Sequence, residues 1–338
     1  MDPCNADHLI QQIRHWLACQ NIGAWSDATR TQYRADCRRL LNDRTPDEVI
    51  TALKDTRSKN TYYKRRAAVI FGLTELLQHW VSEYENAQSH QDNSLARGCT
   101  QHLQSALELV IKLADMAGEC PLKAPQKRHS KRQDLAGLPQ DWRQQIADRL
   151  RHGESKYYLP FIAEAITGCR PAELQKGILA RSGDGHLTIA IKGAKVDAAK
   201  GQKWRILRYD LTDPHPLVAS LAQEIALIGG EIRIAIENPR NWSTALRRVG
   251  QTLWPQHKKH ITPYCLRHDA ASNFKASSLN SDEIAQALGH ATNKTQKRYG
   301  QKQMSRGGRG VAPTQVAAER PIRHVTQDFT ASPRSSAK

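Results

Sequence analysis

Two arginines, a histidine and a tyrosine stand in the second half of this chain at intervals that would let them act on one anion. Arg170 lies in Thr167-Gly168-Cys169-Arg170-Pro171-Ala172-Glu173-Leu174, Arg267 in Tyr264-Cys265-Leu266-Arg267, His290 in Leu288-Gly289-His290, and Tyr299 nine residues beyond His290. A phosphodiester repels nucleophiles because it is itself an anion. Two guanidinium forks on its non-bridging oxygens both hold it and offset the charge that grows in the transition state. A tyrosine then supplies the nucleophilic oxygen, with no metal and no nucleotide. A core tyrosine normally has apolar company one turn back; Tyr299 has Thr295 and Gln296 there, with Lys297, Arg298 and Gly300 around it.

The elements that must position these groups are legible around them. Helical patterns over Asp141–Leu150 and Lys156–Ile166 end at Gly168, and Pro171 opens the next helix, so Arg170 falls at a helix N-terminus where free N–H groups also favour an anion. Leu187, Ile189 and Ile191 alternate as a strand, with Trp204, Ile206 and Leu207 beginning its partner and a lysine-bearing hairpin over 192–203 between them. Helices follow at Pro216–Ile228 and Trp242–Trp254. Thr262-Pro263 starts the helix that carries Tyr264 and Arg267 on one face. Ser281 is the expected cap of a short helix ended by Gly289, which presents His290 on a turn.

The first 120 residues read as all-helical. Leu9, Ile13 and Trp16 make one stripe; Ser26 caps a helix whose Tyr33, Cys37 and Leu40 face inward while Arg30, Arg34 and Arg38 recur at i, i+4 outside. Thr45-Pro46-Asp47-Glu48 is a helix start with cap, Pro and capping-box Glu. From Ser58 to Val81 a basic entry with Lys64 and Arg65 precedes an apolar run, a polar stretch spans Asn86–Asn93, and Cys99 to Ala117 form a last helix stopped by Gly118. Lys127 and Arg128 belong to a basic stretch over 121–138 that reads as a linker. The expected organisation is a helical domain at 1–120, that linker, a mixed domain at 139–302, and a disordered basic tail at 303–338. The fold class is mostly α with a small β-sheet.

Fifty Lys and Arg against 33 Asp and Glu leave a formal charge of +17, which points to a polyanionic partner, most often nucleic acid. No apolar run reaches the roughly 20 residues of a membrane span and no signal-peptide layout opens the chain, so the expectation is a cytosolic protein without a membrane partner. Seven cysteines without C-x-x-C spacing suggest neither a disulfide framework nor a zinc module. His257, His260 and His268 lack ligands at regular spacing, and no metal or cofactor is expected.

The four boxes in this order, with His290 following Arg267 by 23 residues and Tyr299 following His290 by nine, resemble the tyrosine recombinase (phage integrase) family. The resemblance covers residues 167–300, with a looser likeness of the helical half to the family's core-binding domain. It implies that Tyr299 attacks a scissile phosphate to give a 3′-phosphotyrosine, with Arg170 and Arg267 clamping the phosphate and His290 and Tyr264 assisting. Glu173 would orient an arginine. A hairpin lysine would protonate the leaving 5′-oxygen, Lys195 being preferred over Lys192, with Lys200 and Lys203 as phosphate contacts. Where the family usually has His or Lys, this chain has Tyr264, which cannot carry a positive charge; His268 lies one turn further on. The resemblance further implies double-stranded recombination sites, a homotetramer on DNA, an accessory DNA-bending protein, and integration or excision of a mobile element in a bacterial cytosol. The rival readings are a monomeric type IB-like topoisomerase and a non-catalytic DNA-binding regulator.

Overall fold

The computed structural model describes residues 3–20, 25–56, 58–116, 120–121, 131, 133–306, 308 and 310–324. The chain divides into two compact units, Met1–Arg128 and His129–Lys338.

The first unit is helical: α1 (Pro3–Cys19), α2 (Asp27–Leu41), α3 (Pro46–Lys54), α4 (Lys59–Ser89) and α5 (Asn93–Asp115). Ser26 caps α2 through the Thr29 N–H, and Thr45 and Glu48 close a reciprocal capping box on α3. Ile13 and Leu103, which the apolar periodicity puts on buried faces, share one core with Val49, Leu53, Leu73 and Leu77. Helix α4 runs past Val81 into the stretch expected to be a break, because Tyr84 and Ala87 continue its buried face. The break comes at Gln91, with φ 58°, and Asp92 then caps α5 by accepting from the Ser94 and Leu95 N–H groups. The Ala117 and Gly118 stop lies outside the described residues.

The second unit holds α6 (Trp142–His152), α7 (Tyr158–Thr167), α8 (Pro171–Lys176), β1 (Ile178–Gly183), β2 (His186–Lys192), β3 (Trp204–Asp210), α9 (Pro216–Leu227), β4 (Glu231–Ile234), α10 (Pro239–Leu253), α11 (Pro263–Ala276), α12 (Ser281–Ala287) and β5 (Gln315–Ala318). Its five strands form one antiparallel sheet in the order β4-β1-β2-β3-β5. One face, with Ile178, Ala180, Leu187, Ile189, Ile191 and Leu207, packs into the core with Phe161, Leu221, Leu266 and Phe274. The α+β expectation therefore stands. No helix among the described residues is long and apolar enough to cross a membrane.

Three further sequence expectations change. The linker drawn over 121–138 ends earlier, since Gln133–Leu135 form a 3-10 turn and Leu135 and Leu138 are buried in the second unit's core. Asn280, not Ser281, caps α12: its Oδ1 accepts from the Asp282 and Glu283 N–H groups while Glu283 returns a bond to the Asn280 N–H. The tail drawn as disordered from 303 is corrected as far as His324. Gln315–Ala318 add β5 to the β3 edge, and Val311 and Ile322 are buried. Strand addition uses backbone donors and acceptors, which a composition rule does not weigh. Residues 325–338 lie outside the described residues.

Candidate active site

Arg170 sits at the N-cap of α8, where its own N–H and its Nη1 both donate to Glu173, at 2.8 and 2.7 Å. Glu173 is fully buried and takes a second guanidinium: Arg205 Nη2 donates at 2.8 Å to Oε2, the oxygen that also accepts from the Arg170 N–H. Burial alone would drive the Glu173 carboxyl toward its neutral form, but the charge and hydrogen bond of Arg205, with Arg170 and Arg267 behind it, hold it well below the usual carboxylate range. Arg205 also donates from Nε to the Ala287 carbonyl at 2.8 Å, which fixes the fork from the other side. Arg205 is 1 % exposed, whereas the Arg170 side chain keeps 13 % of its surface open, so of the two guanidiniums on Glu173 it is Arg170 that faces an incoming anion.

Arg267, on α11, is buried and spends its fork on the two turns beside it. Nη1 donates to the Gly168 carbonyl and Nη2 to the Leu288 carbonyl, each at 2.6 Å, and Nη2 also meets His290 Nε2 at 3.1 Å. Gly168 caps α7 in the left-handed conformation, and its turn is thereby bolted to the His290 turn. Burial, then the neighbouring Arg170, bring the Arg267 guanidinium down to about 10. His290 is 3 % exposed, and burial together with Arg267, Arg170 and Arg205 pushes its imidazolium down to about 2. A neutral ring whose Nε2 accepts from a guanidinium carries its proton on Nδ1. That Nδ1, Arg267 Nε and Arg205 Nη1 are buried with no hydrogen-bond partner. Gly289 makes the packing possible: at φ +65°, a Cβ there would lie 2.8 Å from Arg205 Nη1 and 3.5 Å from Arg170 Nη1.

Tyr299 follows the 3-10 turn Thr295–Arg298 and lies half-buried between two imidazoles, with ring centroids 5.2 Å from His268 and 5.5 Å from His290. The Arg267 guanidinium stands 4.7 Å from the centre of its ring, a positive charge over the aromatic face. Lys275 anchors the segment by donating to the carbonyls of Gln296, Tyr299 and Gly300 at 3.1, 2.6 and 2.9 Å, and the Gly300 N–H donates to His268 Nδ1 at 3.2 Å. Tyr264 lies one turn before Arg267 on α11 and is 42 % exposed. Beneath the arginines, Glu164 is fully buried and accepts from Trp242 Nε1 at 2.6 Å; burial pushes its carboxyl up to about 8.

The structure thus brings Arg170, Glu173, Arg267, His290 and Tyr299 into one place. Apart from Tyr264 on α11, the remaining site residues lie on the hairpin or on the first unit. Lys192 ends β2 with its Nζ 5.8 Å from the centre of the Trp204 ring, and Lys195, Lys200 and Lys203 are exposed in or beside the loop that follows. Arg30, Arg34 and Arg38 line the outer face of α2. Arg34 is forked onto Glu75, at 2.7 and 2.9 Å, Lys64 pairs with Asp36 at 2.8 Å, and Arg65 donates to the Ala52 and Asp55 carbonyls at the end of α3. Lys127 and Arg128 lie outside the described residues. Among the described residues no group of His, Cys, Asp and Glu is arranged to hold a metal ion.

Arg205, Gln202, Lys275 and Glu164 were not singled out from sequence. For Arg205 a signal existed: Leu207 and Tyr209 face inward on β3, so strand alternation turns Arg205 inward too. An arginine on a core face needs a carboxylate, and Glu173 was already in view.

No family profile and no curated protein matches the chain. Among solved structures it is similar to XerA recombinase, at 15% identity and TM-score 0.35, over 87% of this chain and 93% of that one. It is likewise similar to a lambda integrase dimer bound to a COC′ core site, at 14% identity and TM-score 0.39, over 90% and 78%. A third is the Tn1549 transposon integrase in complex with a circular intermediate DNA, at 12% identity and TM-score 0.40, over 87% and 94%.

Proposed function

We propose that this chain is a tyrosine recombinase, a site-specific enzyme that cuts and rejoins DNA through a 3′-phosphotyrosine. The observation that supports it best is the Tyr299 ring held between His268 and His290 and beneath Arg267, at 5.2, 5.5 and 4.7 Å. Arg170, at the open edge of the Glu173–Arg205 network, and Arg267 take the non-bridging oxygens. His290, neutral and with an unpartnered Nδ1–H, acts as a hydrogen-bond donor to the phosphate, and the exposed Tyr264 hydroxyl adds a second, uncharged donor. Tyr299 gives its phenolic proton to solvent and its oxygen forms a bond to phosphorus while the bond to the 5′-oxygen breaks, and a hairpin lysine, Lys195 in preference to Lys192, supplies a proton to that oxygen. One phosphoester replaces another of similar energy, so rejoining needs no ATP. Glu173 positions both Arg170 and Arg205.

Around this chemistry the reading places Arg30, Arg34, Arg38, Lys64, Arg65, Lys127, Arg128, Lys200 and Lys203 along the DNA backbone, a homotetramer on two recombination sites in the cytosol, and the integration or excision of a mobile element with an accessory DNA-bending protein. The test of the proton donor is a substrate with sulfur in place of the scissile 5′-oxygen. A thiolate leaves without a proton, so the variant lacking the donor, Lys195→Ala or Lys192→Ala, recovers cleavage on it. If both variants stay slow on the sulfur substrate, neither lysine is the acid.

A further inference from the structure

We infer that Gln202 is a positioning residue, the joint that holds the lysine hairpin in register with the His290 turn; the inference rests on the strand-transfer reading above. Gln202 is 1 % exposed although it lies in a solvent-facing loop. Every hydrogen-bonding position of its amide group but one is used, on two segments distant in sequence. Nε2 donates to the His290 carbonyl at 3.0 Å and to the Arg320 carbonyl at 2.9 Å, and Oε1 accepts from the Arg320 N–H at 2.9 Å. The side chain therefore ties the base of the hairpin to the backbone of the site histidine and to the segment that follows β5.

The surroundings extend the same joint. Gly193, across the hairpin neck, leaves space that a side chain would fill, since a Cβ there would stand 2.0 Å from the Gln202 carbonyl oxygen. The Gly193 N–H donates to the Lys203 carbonyl at 2.9 Å, and Lys176 donates to the Gly193 carbonyl at 2.7 Å, so the neck is fixed to α8 and with it to Arg170. The tip is held from the other side: Arg320 Nη1 donates to the Asp197 carbonyl at 2.8 Å, and Arg323 donates to the Ala199 carbonyl. Backbone bonds from Arg323 to Ala291 and from Asn293 to Arg323 bring that segment back to the His290 turn. Lys192 and Lys195 lie on the hairpin whose neck Gln202 anchors, so the amide sets where the proton donor stands relative to a phosphate on Arg267 and His290. A buried amide that touches no reacting atom acts on the rate only through those it orients, and losing such an orienting partner costs about 10–100-fold.

The test compares wild type, Gln202→Ala and Gln202→Glu on a duplex trapped by wild type from DNA flanking its own gene, in the ordinary and the 5′-thio form, under single turnover. Gln202→Ala should cleave the oxygen substrate about 10–100-fold more slowly, approach wild type on the thio substrate, and bind DNA equally well. Gln202→Glu keeps the acceptor for the Arg320 N–H but can donate only when protonated, so its rate relative to wild type should rise as pH falls. An equal loss on both substrates, or no loss on either, overturns the assignment. Wild type that forms no adduct on any duplex overturns the strand-transfer reading instead. Hydrogen exchange then judges the joint by itself: it stands if Gln202→Ala deprotects 193–203 and 289–293 together, and falls if only the Arg320 amide changes.

Discussion

At the scale of single residues, His290 and Glu164 make opposite statements about pH. Between about 2 and its ordinary 6.5, His290 is neutral in the folded chain and protonated in the unfolded one. The unfolded state then binds the extra proton, so this group lowers stability as pH falls through 6.5 and has no effect above it. Urea unfolding of wild type should weaken more steeply between pH 7 and 5 than that of His290→Gln. Glu164 holds a proton in the folded chain from its ordinary 4.5 up to about 8, so it lowers stability as pH rises across that window, and Glu164→Gln should flatten the slope between pH 6 and 8. Equal slopes in variant and wild type would remove either group from the account. Gly289→Ala must adopt φ +65°, at a cost of about 1–2 kcal/mol, and its methyl would displace Arg205, so adduct formation should fall at least tenfold while DNA affinity holds. Residue types and spacing singled out Arg170, Arg267, His290 and Tyr299, because chemistry dictates their types, and Glu173 entered through the family resemblance. Spacing could not disclose which histidine nitrogen is engaged, since that depends on Arg267 reaching His290 from another element.

At the scale of elements, the segment carrying Tyr299 is short and irregular, and Lys275 of α11 holds it through three carbonyls. Lys275→Met leaves those acceptors without their charged donor. Hydrogen exchange over 295–301 should accelerate and adduct formation should drop about tenfold or more; unchanged exchange would show that the turn holds itself. Helices with a clear apolar stripe, such as α5 and α9, were legible because burial of one face fixes their period. Strand β1 was less so, since only Ile178 and Ala180 of its residues carry the inward alternation as strongly apolar groups among Arg181, Ser182 and Gly183. Strand β5 is a four-residue edge whose pairing with β3 rests on backbone bonds, and its side chains are no guide to it.

At the scale of the whole molecule, a formal charge of +17 makes DNA affinity, on the proposed function, a matter of salt. Removing Arg30 or Arg38 should reduce the slope of log K against log salt by about 0.9 each. Arg34→Ala should reduce it less, because Glu75 already holds that fork. Equal changes at all three positions would mean that DNA draws Arg34 off Glu75. The central claim is the nucleophile. Incubating wild type and Tyr299→Phe with nicked duplexes from DNA flanking the gene, then analysing peptide mass, should give a nucleotide adduct on residue 299 that the phenylalanine variant lacks. Sequence-specific binding by wild type with no adduct on any duplex would contradict the account and leave a DNA-binding regulator in its place.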